Sequence, residues 1–467
     1  MKNSSNIAKG GFHRVNPQYH SVNEDQGSYI PVFKRAGIEF KEKETYLVSG
    51  DFKFTGWLLY ISVIPRQAEQ LLADVLPFLK EHQVAFQTIK SHAEHRAQNE
   101  GEYKLENVGK NIIISTNSDE DAVMLAKGLA PLTEKYTGVE VIDALRLSQN
   151  VYAEFSASLK GNGQIEYYKL FIPEKNKIPF TPDIRYNKSQ NGRFVGKLYL
   201  LMNEISNTYK GSIHKAINLK KLSCTWCLVK HGRANAACDT FGRTIRERLL
   251  WQKKVIEELQ GIVRTPRYID YFEKHGDSFL IIDWAEGTKL MDMMVPYYKE
   301  KDWKELDKGT QKLLMRYFLA LLDTINTIHE HGYVHRDITP MNFIIDPKTD
   351  KVTVIDFELA FSLKENTPIP PFGMGTIGYV SPEQMRSVKP TVYEDVYALG
   401  AVLIYMLTGK HTEFRNKNDL DLIKVKLKAL AGDSKIVNLA LRCIRVAPTS
   451  RPAMADLRRG ITDFLQE

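Results

Sequence analysis

The segment that decides the fold is His335-Arg-Asp-Ile-Thr-Pro-Met-Asn342. Its carboxylate, Asp337, can orient a substrate hydroxyl and take its proton, and the amide oxygen of Asn342 can bind a metal ion. Downstream, the apolar stretch Val354-Ile-Asp356 ends in a second carboxylate, which is also a suitable metal ligand. A base followed by two oxygen ligands in this order indicates phosphoryl transfer.

Three later segments strengthen this interpretation, and together with the first they resemble the signature of protein kinases. They are Gly375–Glu383, Glu394–Gly400 and Pro448–Pro452, which resemble the end of an activation segment, the helix behind it and the late arginine motif. We expect Arg451 in the last segment to pair with Glu383. The resemblance implies a bilobal protein kinase-like fold over residues 197–467.

The residues that would hold a nucleotide are sought upstream of these motifs. Lys230 ends a predicted strand and fits the lysine that grips the α- and β-phosphates. The helix predicted over Thr244–Leu259 should supply its partner, for which Glu247 is favoured slightly over Gln252. Asp283 lies in the segment predicted to form the hinge, whose backbone would bind adenine.

The phosphate loop has an unusual sequence. The segment Ile205–Lys215 contains a single glycine, Gly211, which is followed by Ser212. Two interpretations remain open, a cover over the nucleotide phosphates and a plain hairpin. The kinase resemblance further implies that Arg336 and Thr339 support the catalytic loop and the γ-phosphate. It also implies that Asn342 and Asp356 bind Mg²⁺ and that the nucleotide is ATP or GTP.

Two positions that differ from ordinary serine/threonine kinases indicate a particular group of kinases. Ordinary serine/threonine kinases carry lysine where this chain has Thr339, and glycine where it has Glu358. A catalytic loop of this form followed by Asp-Phe-Glu resembles the kinase domain of class III lanthipeptide synthetases. Upstream, Gly56–Ser62 and Gly109–Ile114 resemble the lyase domain of the same family. The resemblance implies phosphorylation of Ser and Thr in a ribosomal precursor peptide, followed by elimination of the phosphate.

The lyase-like part lacks two residues and one short motif of the family's pattern. Tyr60 stands in place of a histidine, Gln87 in place of a lysine, and Tyr152-Ala-Glu154-Phe in place of Tyr-Arg-Tyr-Gly. The family's lysine is present as Lys110, and Lys90, His92, Arg146 or Tyr60 could substitute for the lost groups. A tyrosine is a much weaker acid than imidazolium near neutral pH. We therefore expect this domain not to eliminate phosphate, and to bind the leader peptide or brace the kinase lobe instead.

Length and composition agree with this organisation. The chain has 467 residues, 43% hydrophobic residues and a formal charge of +8, which suit two or three globular domains and do not demand a nucleic-acid partner. The N-terminus has no apolar signal region, no apolar run is long enough to span a bilayer, and four cysteines are too few for a disulfide framework, so we expect a reducing cytoplasm. The fold class expected is α+β. The predicted divisions are a loosely packed N-terminal arm (1–45), the lyase-like domain (46–160), a linker (161–196) and the kinase-like domain (197–467).

The expected function is that of an ATP- and Mg²⁺-dependent Ser/Thr kinase acting on a ribosomally made precursor peptide. Because the sequence ends soon after the predicted last kinase helix, we expect no cyclase domain, and a separate cyclase or lyase as a possible partner. Three alternatives remain open at this point. The chain could be a bifunctional kinase and lyase, a kinase acting on a cellular protein, or a pseudokinase scaffold.

Overall fold

The computed structural model describes residues 14–15, 27–160, 166–174, 177–181, 193–220, 224–299, 301–373, 375–410 and 419–467. The chain forms two compact units. The first, called here the amino-terminal unit, comprises residues 21–249 and 270–281. The second, the carboxy-terminal unit, comprises residues 1–20, 250–269 and 282–467.

An antiparallel sheet forms the lyase-like part of the amino-terminal unit. Its strands are β2 (Lys41–Glu42), β3 (Tyr46–Ser49), β4 (Gly56–Ile61), β5 (Phe86–Ile89), β6 (Ile112–Ser115), β7 (Leu145–Arg146), β8 (Val151–Lys160) and β9 (Glu166–Phe171). They are ordered β2-β3-β5-β6-β4-β8-β7, and β9 also pairs with β8. Strand β9 falls within the predicted linker, so that part of the linker belongs to the sheet.

Two helices cover one face of this sheet because each carries an apolar stripe. Helix α2 (Ala68–Glu81) buries leucines and one valine at helical spacing, among them Leu72, Val75 and Leu79. Helix α4 (Asp119–Thr133) begins at Ser118, whose side chain accepts a hydrogen bond from the backbone N–H of Asp121. A third helix, α3 (His92–Asn99), is mostly polar and was not predicted.

The segment just before the sheet is packed more tightly than the sequence suggested. Helix α1 (Ile30–Ala36) inserts Val32 and Phe33 into the main hydrophobic core, with Tyr29 beside them. The side chain of Phe33 is wholly buried. The prediction of a loosely packed arm over 1–45 was therefore wrong for residues 29–36. Their apolar side chains pack into the core because they lie on one side of a short helix.

A second sheet completes the amino-terminal unit. Its strands are β10 (Phe194–Val195), β11 (Tyr199–Thr208), β12 (Gly211–Asn218), β13 (Thr225–Gly232), β14 (Tyr268–Lys274) and β15 (Asp277–Asp283), ordered β10-β11-β12-β13-β15-β14. Strands β11 and β12 form a hairpin whose turn is Tyr209–Lys210. The following helix, α5 (Ile245–Leu259), begins in this unit.

The carboxy-terminal unit is mostly helical. Its helices are α6 (Leu290–Met294), α7 (Lys308–Glu330), α8 (Pro382–Met385), α9 (Val392–Thr408), α10 (Asp419–Ala431), α11 (Lys435–Cys443) and α12 (Met454–Gln466). Its short strands are β1 (Arg14–Val15), β16 (Thr288–Lys289), β17 (Tyr333–Val334), β18 (Phe343–Asp346), β19 (Lys351–Val354), β20 (Phe361–Ser362) and β21 (Gly375–Thr376). Helix α9 is buried almost all round and forms the centre of this unit.

The chain is thus α+β, as predicted. Within the described residues, no helix combines the length and apolar character that crossing a membrane requires.

Candidate active site

The catalytic loop between β17 and β18 holds Asp337 with two neutral donors. The hydroxyl of Thr376 on β21 donates to Asp337 Oδ1 at 3.0 Å. The amide Nδ2 of Asn342 donates to Asp337 Oδ2 at 3.1 Å and to the Asp337 carbonyl oxygen at 2.8 Å. The carboxylate is therefore fixed from two sides, and Asp337 itself is almost wholly buried. The contact with Thr376 was not predicted.

Asp395 on helix α9 supports the loop from beneath. Its two oxygens accept the backbone N–H groups of His335 and Arg336, each at 2.8 Å. The ring of His329 lies 2.8 Å from the same carboxylate. Burial alone would raise the pKa of Asp395, but the hydrogen bond and charge of His329, the charge of His335 and the N–H of Arg336 together outweigh it, and the pKa is lowered. The carboxylate therefore stays ionised and fixes the backbone just before Asp337.

Arg336 ties the loop to the helix and to the activation segment. Its Nε donates to Glu394 Oε2 at 2.9 Å, and its Nη1 donates to the carbonyl oxygen of Phe372 at 2.9 Å. Burial raises the pKa of Glu394 to about 7, against the opposing effect of the Arg336 charge. These contacts join Arg336 to helix α9 and to the activation segment, and its support of the γ-phosphate stays a prediction.

Two residues of the site have backbones in the left-handed region. The φ angles are 65° at Arg336 and 67° at Asp356. Such angles are costly for residues other than glycine and persist only where the surrounding structure enforces them. Both positions are among those that the sequence analysis assigns to the catalytic site.

The predicted pairing of Arg451 with Glu383 is confirmed. Two parallel hydrogen bonds, of 2.5 and 2.8 Å, join the guanidinium of Arg451 to the carboxylate of Glu383. A third bond from Arg451 reaches the carbonyl oxygen of Tyr393, just ahead of Glu394 in helix α9. This buried, bidentate pair anchors the end of the activation segment.

The donor set suits a magnesium ion. Asn342 uses its amide nitrogen on Asp337, which leaves its amide oxygen as the atom to offer a metal. Asp356 adds a carboxylate at the turn after β19. Amide and carboxylate oxygens are the ligands that Mg²⁺ prefers. Thr339, the remaining predicted loop residue, is buried and accepts the N–H of Asn342 on its carbonyl oxygen.

Two further residues that were predicted to serve the nucleotide, Asp283 and Glu247, form hydrogen bonds or ion pairs with neighbouring residues. The side chain of Asp283, at the end of β15, lies 2.5 Å from Nε of Arg267. The carboxylate of Glu247 accepts hydrogen bonds from the backbone N–H and hydroxyl of Thr244, both at 2.7 Å. These contacts place Glu247 in the cap of helix α5. The pairing of Lys230 with Glu247 stays a prediction, and its alternative Gln252 is fully buried on the same helix.

In the amino-terminal unit, the hairpin β11–β12 carries Gly211 and lies beside the strand that carries Lys230. A side chain at Gly211 would overlap the carbonyl oxygen of His231, and its φ of 149° is one that other residues rarely adopt. The hydroxyl of Ser212 lies 3.2 Å from Nδ1 of His231 and 2.9 Å from Nε2 of His214. Gly211 and Ser212 are therefore structurally fixed at the base of the turn.

The face of the lyase-like sheet opposite its main core carries the residues of the expected second site. Lys110 and Glu154 form an ion pair there, with 2.5 Å between Nζ and Oε2, and both side chains are less than 10% exposed. Lys110 Nζ also lies 4.6 Å from the ring centroid of Tyr60. The only family cation that the sequence retains is therefore neutralised by Glu154.

The tyrosines of this face are poor acids and bases. Burial, with the nearby Glu154 carboxylate, raises the pKa of Tyr60 well above its ordinary value. Burial also raises the pKa of Tyr152, its cross-strand neighbour, to about 12. Leu58, Ile113 and Val141 pack with both rings into a small apolar cluster. Neither tyrosine is therefore suited to exchange a proton near neutral pH.

The other residues considered as substitutes have partners elsewhere. Lys90 lies 3.5 Å from Glu42, and His92 lies 3.2 Å from Glu69. Arg146 donates to the backbone carbonyls at 148 and 149 and lies over the ring of Tyr152. Gln87 is buried on β5, opposite Ile113. Of the four substitutes, Tyr60 and Arg146 lie on or beside this face.

Comparison with known proteins agrees with this geometry. A family model described as protein kinase domain matches residues 219–461, just over half of the chain. The chain therefore belongs to the protein kinase family. A second model, described as RamC, N-terminal domain, matches residues 45–161.

Similar proteins include serine/threonine-protein kinases B and D of Synechocystis. Kinase B is 26% identical over 193 residues, which cover 39% of this chain and 32% of the relative. Kinase D is 27% identical over 233 residues, covering 48% and 43%. Sperm motility kinase 3A of Mus musculus is 30% identical over 179 residues, covering 36% and 32%. The chain thus spans less than half the length of these relatives.

Proposed function

We propose that this chain is a kinase that transfers the γ-phosphate of ATP, with Mg²⁺, to Ser or Thr of a ribosomally made precursor peptide. We further propose that its lyase-like domain leaves the phosphate in place. The names of its relatives support the class of acceptor, since they are serine/threonine kinases. The match to the RamC N-terminal domain supports the peptide substrate.

The observation that carries the proposal is the way Asp337 is held. The donors described for its two carboxylate oxygens, Thr376 and Asn342, are both neutral, so they orient the group without cancelling its charge. A carboxylate fixed in this way can orient a substrate hydroxyl for in-line attack and take its proton. Asp395 holds the backbone just ahead of that carboxylate, and the side chain of Arg336 ties the same stretch to Glu394.

The remaining predicted residues would serve the nucleotide. Asn342 and Asp356 would hold Mg²⁺, which neutralises charge on the phosphates when bound. Lys230 would contact the α- and β-phosphates, and the turn ahead of Gly211 would cover them. Thr339 would support the γ-phosphate, Glu247 would orient Lys230, and the backbone around Asp283 would bind the base of ATP or GTP.

The proposal that elimination does not occur rests on the Lys110–Glu154 pair. Lyase chemistry needs a base for the α-proton and cations around the phosphate. A dianionic phosphate next to Glu154 would be repelled, and Lys110 could bind it only by giving up a buried partner. Dehydration of the peptide would then need a separate lyase, and ring formation a separate cyclase. Ribosomal peptides and ATP meet in the cytoplasm, where we place the reaction.

The experiment that tests the proposal uses the full chain with ATP, Mg²⁺ and a Ser- and Thr-containing precursor peptide encoded near its gene. Label transfer from γ-labelled ATP is followed, with GTP in a parallel reaction. Transfer to the peptide supports the proposal. Transfer to a general protein substrate but not to the peptide would favour a signalling kinase. Nucleotide binding without transfer to any substrate would favour a pseudokinase scaffold.

A further inference from the structure

Arg233 follows strand β13 and reaches the turn of the β11–β12 hairpin, called here the phosphate turn (residues 207–210). Its backbone N–H donates to the carbonyl oxygen of Lys210 at 2.8 Å. Its guanidinium donates to the carbonyl oxygen of Thr208, and Nη2 donates to Asn207 Oδ1 at 2.6 Å. Arg233 therefore contacts three of the four residues of the turn, and it is only 8% exposed.

The same guanidinium faces the lyase-like domain. Nε of Arg233 lies 4.0 Å from Oε2 of Glu140, in the loop that leads to β7. Close by, Nδ2 of Asn235 donates to the carbonyl oxygen of Gly138 at 2.8 Å. Arg233 is thus the link between an acidic residue of one domain and the phosphate turn of the other.

A second contact brings the two parts together at the tip of the turn. A Cβ built on Gly101, just after helix α3, would lie 3.5 Å from Cβ of Tyr209, so the side chain of Tyr209 lies close to Gly101. Glu100 lies in the field of Lys210 and Arg248. The tip of the phosphate turn therefore rests on the lyase-like domain.

We propose that the lyase-like domain braces the phosphate turn through Glu140 and Arg233, so that Arg233 is a positioning residue for nucleotide binding. This inference rests on the proposed kinase function and gives the domain a task that requires no elimination chemistry. The turn itself contains no glycine, and Gly211 directly follows it. A turn held from outside loses less conformational freedom when the nucleotide binds, and this improves affinity.

Affinity for a fluorescent ATP analogue with Mg²⁺ tests the brace, because binding is read without any peptide. In the full chain, Arg233→Lys keeps the charge but loses the planar fork that reaches Thr208 and Asn207 together. We expect roughly tenfold weaker binding, as for the loss of one charge-assisted hydrogen bond. Glu140→Gln keeps the shape and removes the charge, and roughly threefold weaker binding is expected. Hydrogen exchange in residues 207–210 should increase in both variants.

Asn235→Gly is the matched control. It removes a hydrogen bond between the same two parts of the chain but leaves the phosphate turn untouched, and glycine accepts the positive φ of 60° at this position. We expect its nucleotide affinity to equal that of the unmodified chain. Melting temperatures identify any variant that has lost its fold.

Three results would overturn the brace. Unchanged affinity in both Arg233→Lys and Glu140→Gln would show that the turn needs no support. Weak nucleotide binding in Arg233→Lys with normal binding in Glu140→Gln would show that Arg233 supports the turn without help from the lyase-like domain. An equal loss of nucleotide affinity in Asn235→Gly would show that any weakening of the contact between the two domains lowers affinity, whether or not it touches the turn. An unmodified chain that binds neither ATP nor GTP would instead overturn the proposed kinase, and the brace with it.

Discussion

The catalytic loop and the face of the lyase-like sheet that lies opposite its main core each bury an ionisable residue to which the sequence analysis assigns a catalytic role. The two residues differ in the charge of their partners. The two carboxylate oxygens of Asp337 accept hydrogen bonds from the side chains of Thr376 and Asn342, and both of these donors are neutral. Lys110 is held by Glu154, and so has its charge cancelled within the protein. Both residues are nearly inaccessible to solvent, so burial does not distinguish them.

The comparison teaches that the presence of a catalytic residue type is a weaker sign of activity than the charge of its neighbours. A neutral donor orients a group at little electrostatic cost. An opposite charge in a buried site makes the group expensive to separate from its partner. The two regions therefore predict opposite responses to substitution.

The largest effect is expected at the catalytic loop. Asp337→Asn keeps the shape of the side chain and removes the base, and phosphoryl transfer should fall by about 10²–10⁴-fold. Nucleotide binding should be unchanged, because Asp337 is assigned to the acceptor hydroxyl. Label transfer and analogue binding measure the two quantities separately. Near-normal transfer in this variant would remove Asp337 from the mechanism.

The next largest effect is expected on the free energy of unfolding, and it tests the ion pair of the lyase-like sheet. Lys110→Met leaves Glu154 buried without its cation, and the free energy of unfolding should drop by about 3–5 kcal/mol. Lys110→Met combined with Glu154→Leu replaces the pair by apolar groups, and most of that loss should be recovered. Urea unfolding measures both.

The double variant also serves as a functional control. Its phosphorylated product should be the same as that of the unmodified chain, since the pair is assigned no chemical step. A change from dehydrated to phosphorylated product on removing Lys110 would show that the face is catalytic after all.

The smallest effect tests the neutral support of Asp337. Thr376→Val keeps the shape but loses the hydroxyl that donates to Oδ1, and kcat should fall roughly tenfold while the KM for ATP stays constant. Thr376→Ser keeps a hydroxyl and should retain most of the activity. Equal losses in the two variants would point to packing rather than to the hydrogen bond.

Local motifs made much of the kinase part predictable from sequence. The loop around Asp337 and the pair Glu383–Arg451 were found because each lies in a short segment of distinctive residues. Thr376 and Glu394 also lie in segments that the sequence singled out. Their roles were missed because a hydrogen bond to Asp337 or Arg336 depends on how distant segments fold together.

The amino-terminal unit was harder to predict for the same reason. The sequence analysis named both residues of the ion pair, but separately. Lys110 was named as a lysine that the family's pattern also has, and Glu154 as part of a segment that departs from that pattern. Their pairing requires the antiparallel alignment of β6, β4 and β8, which brings segments far apart in the chain together. Arg233 carries no motif at all, and only the fold shows that it faces both Glu140 and the phosphate turn. The polar helix α3 lacked the apolar periodicity that signals a helix.

The most direct test of the contrast between the two regions is a time course of one reaction. The full chain is incubated with ATP, Mg²⁺ and a precursor peptide, and the mass of the peptide is followed. The account predicts a phosphorylated peptide that accumulates and persists. A peptide that gains phosphate and then loses it, ending one water lighter than it began, would show that the lyase-like domain eliminates phosphate and would contradict the account.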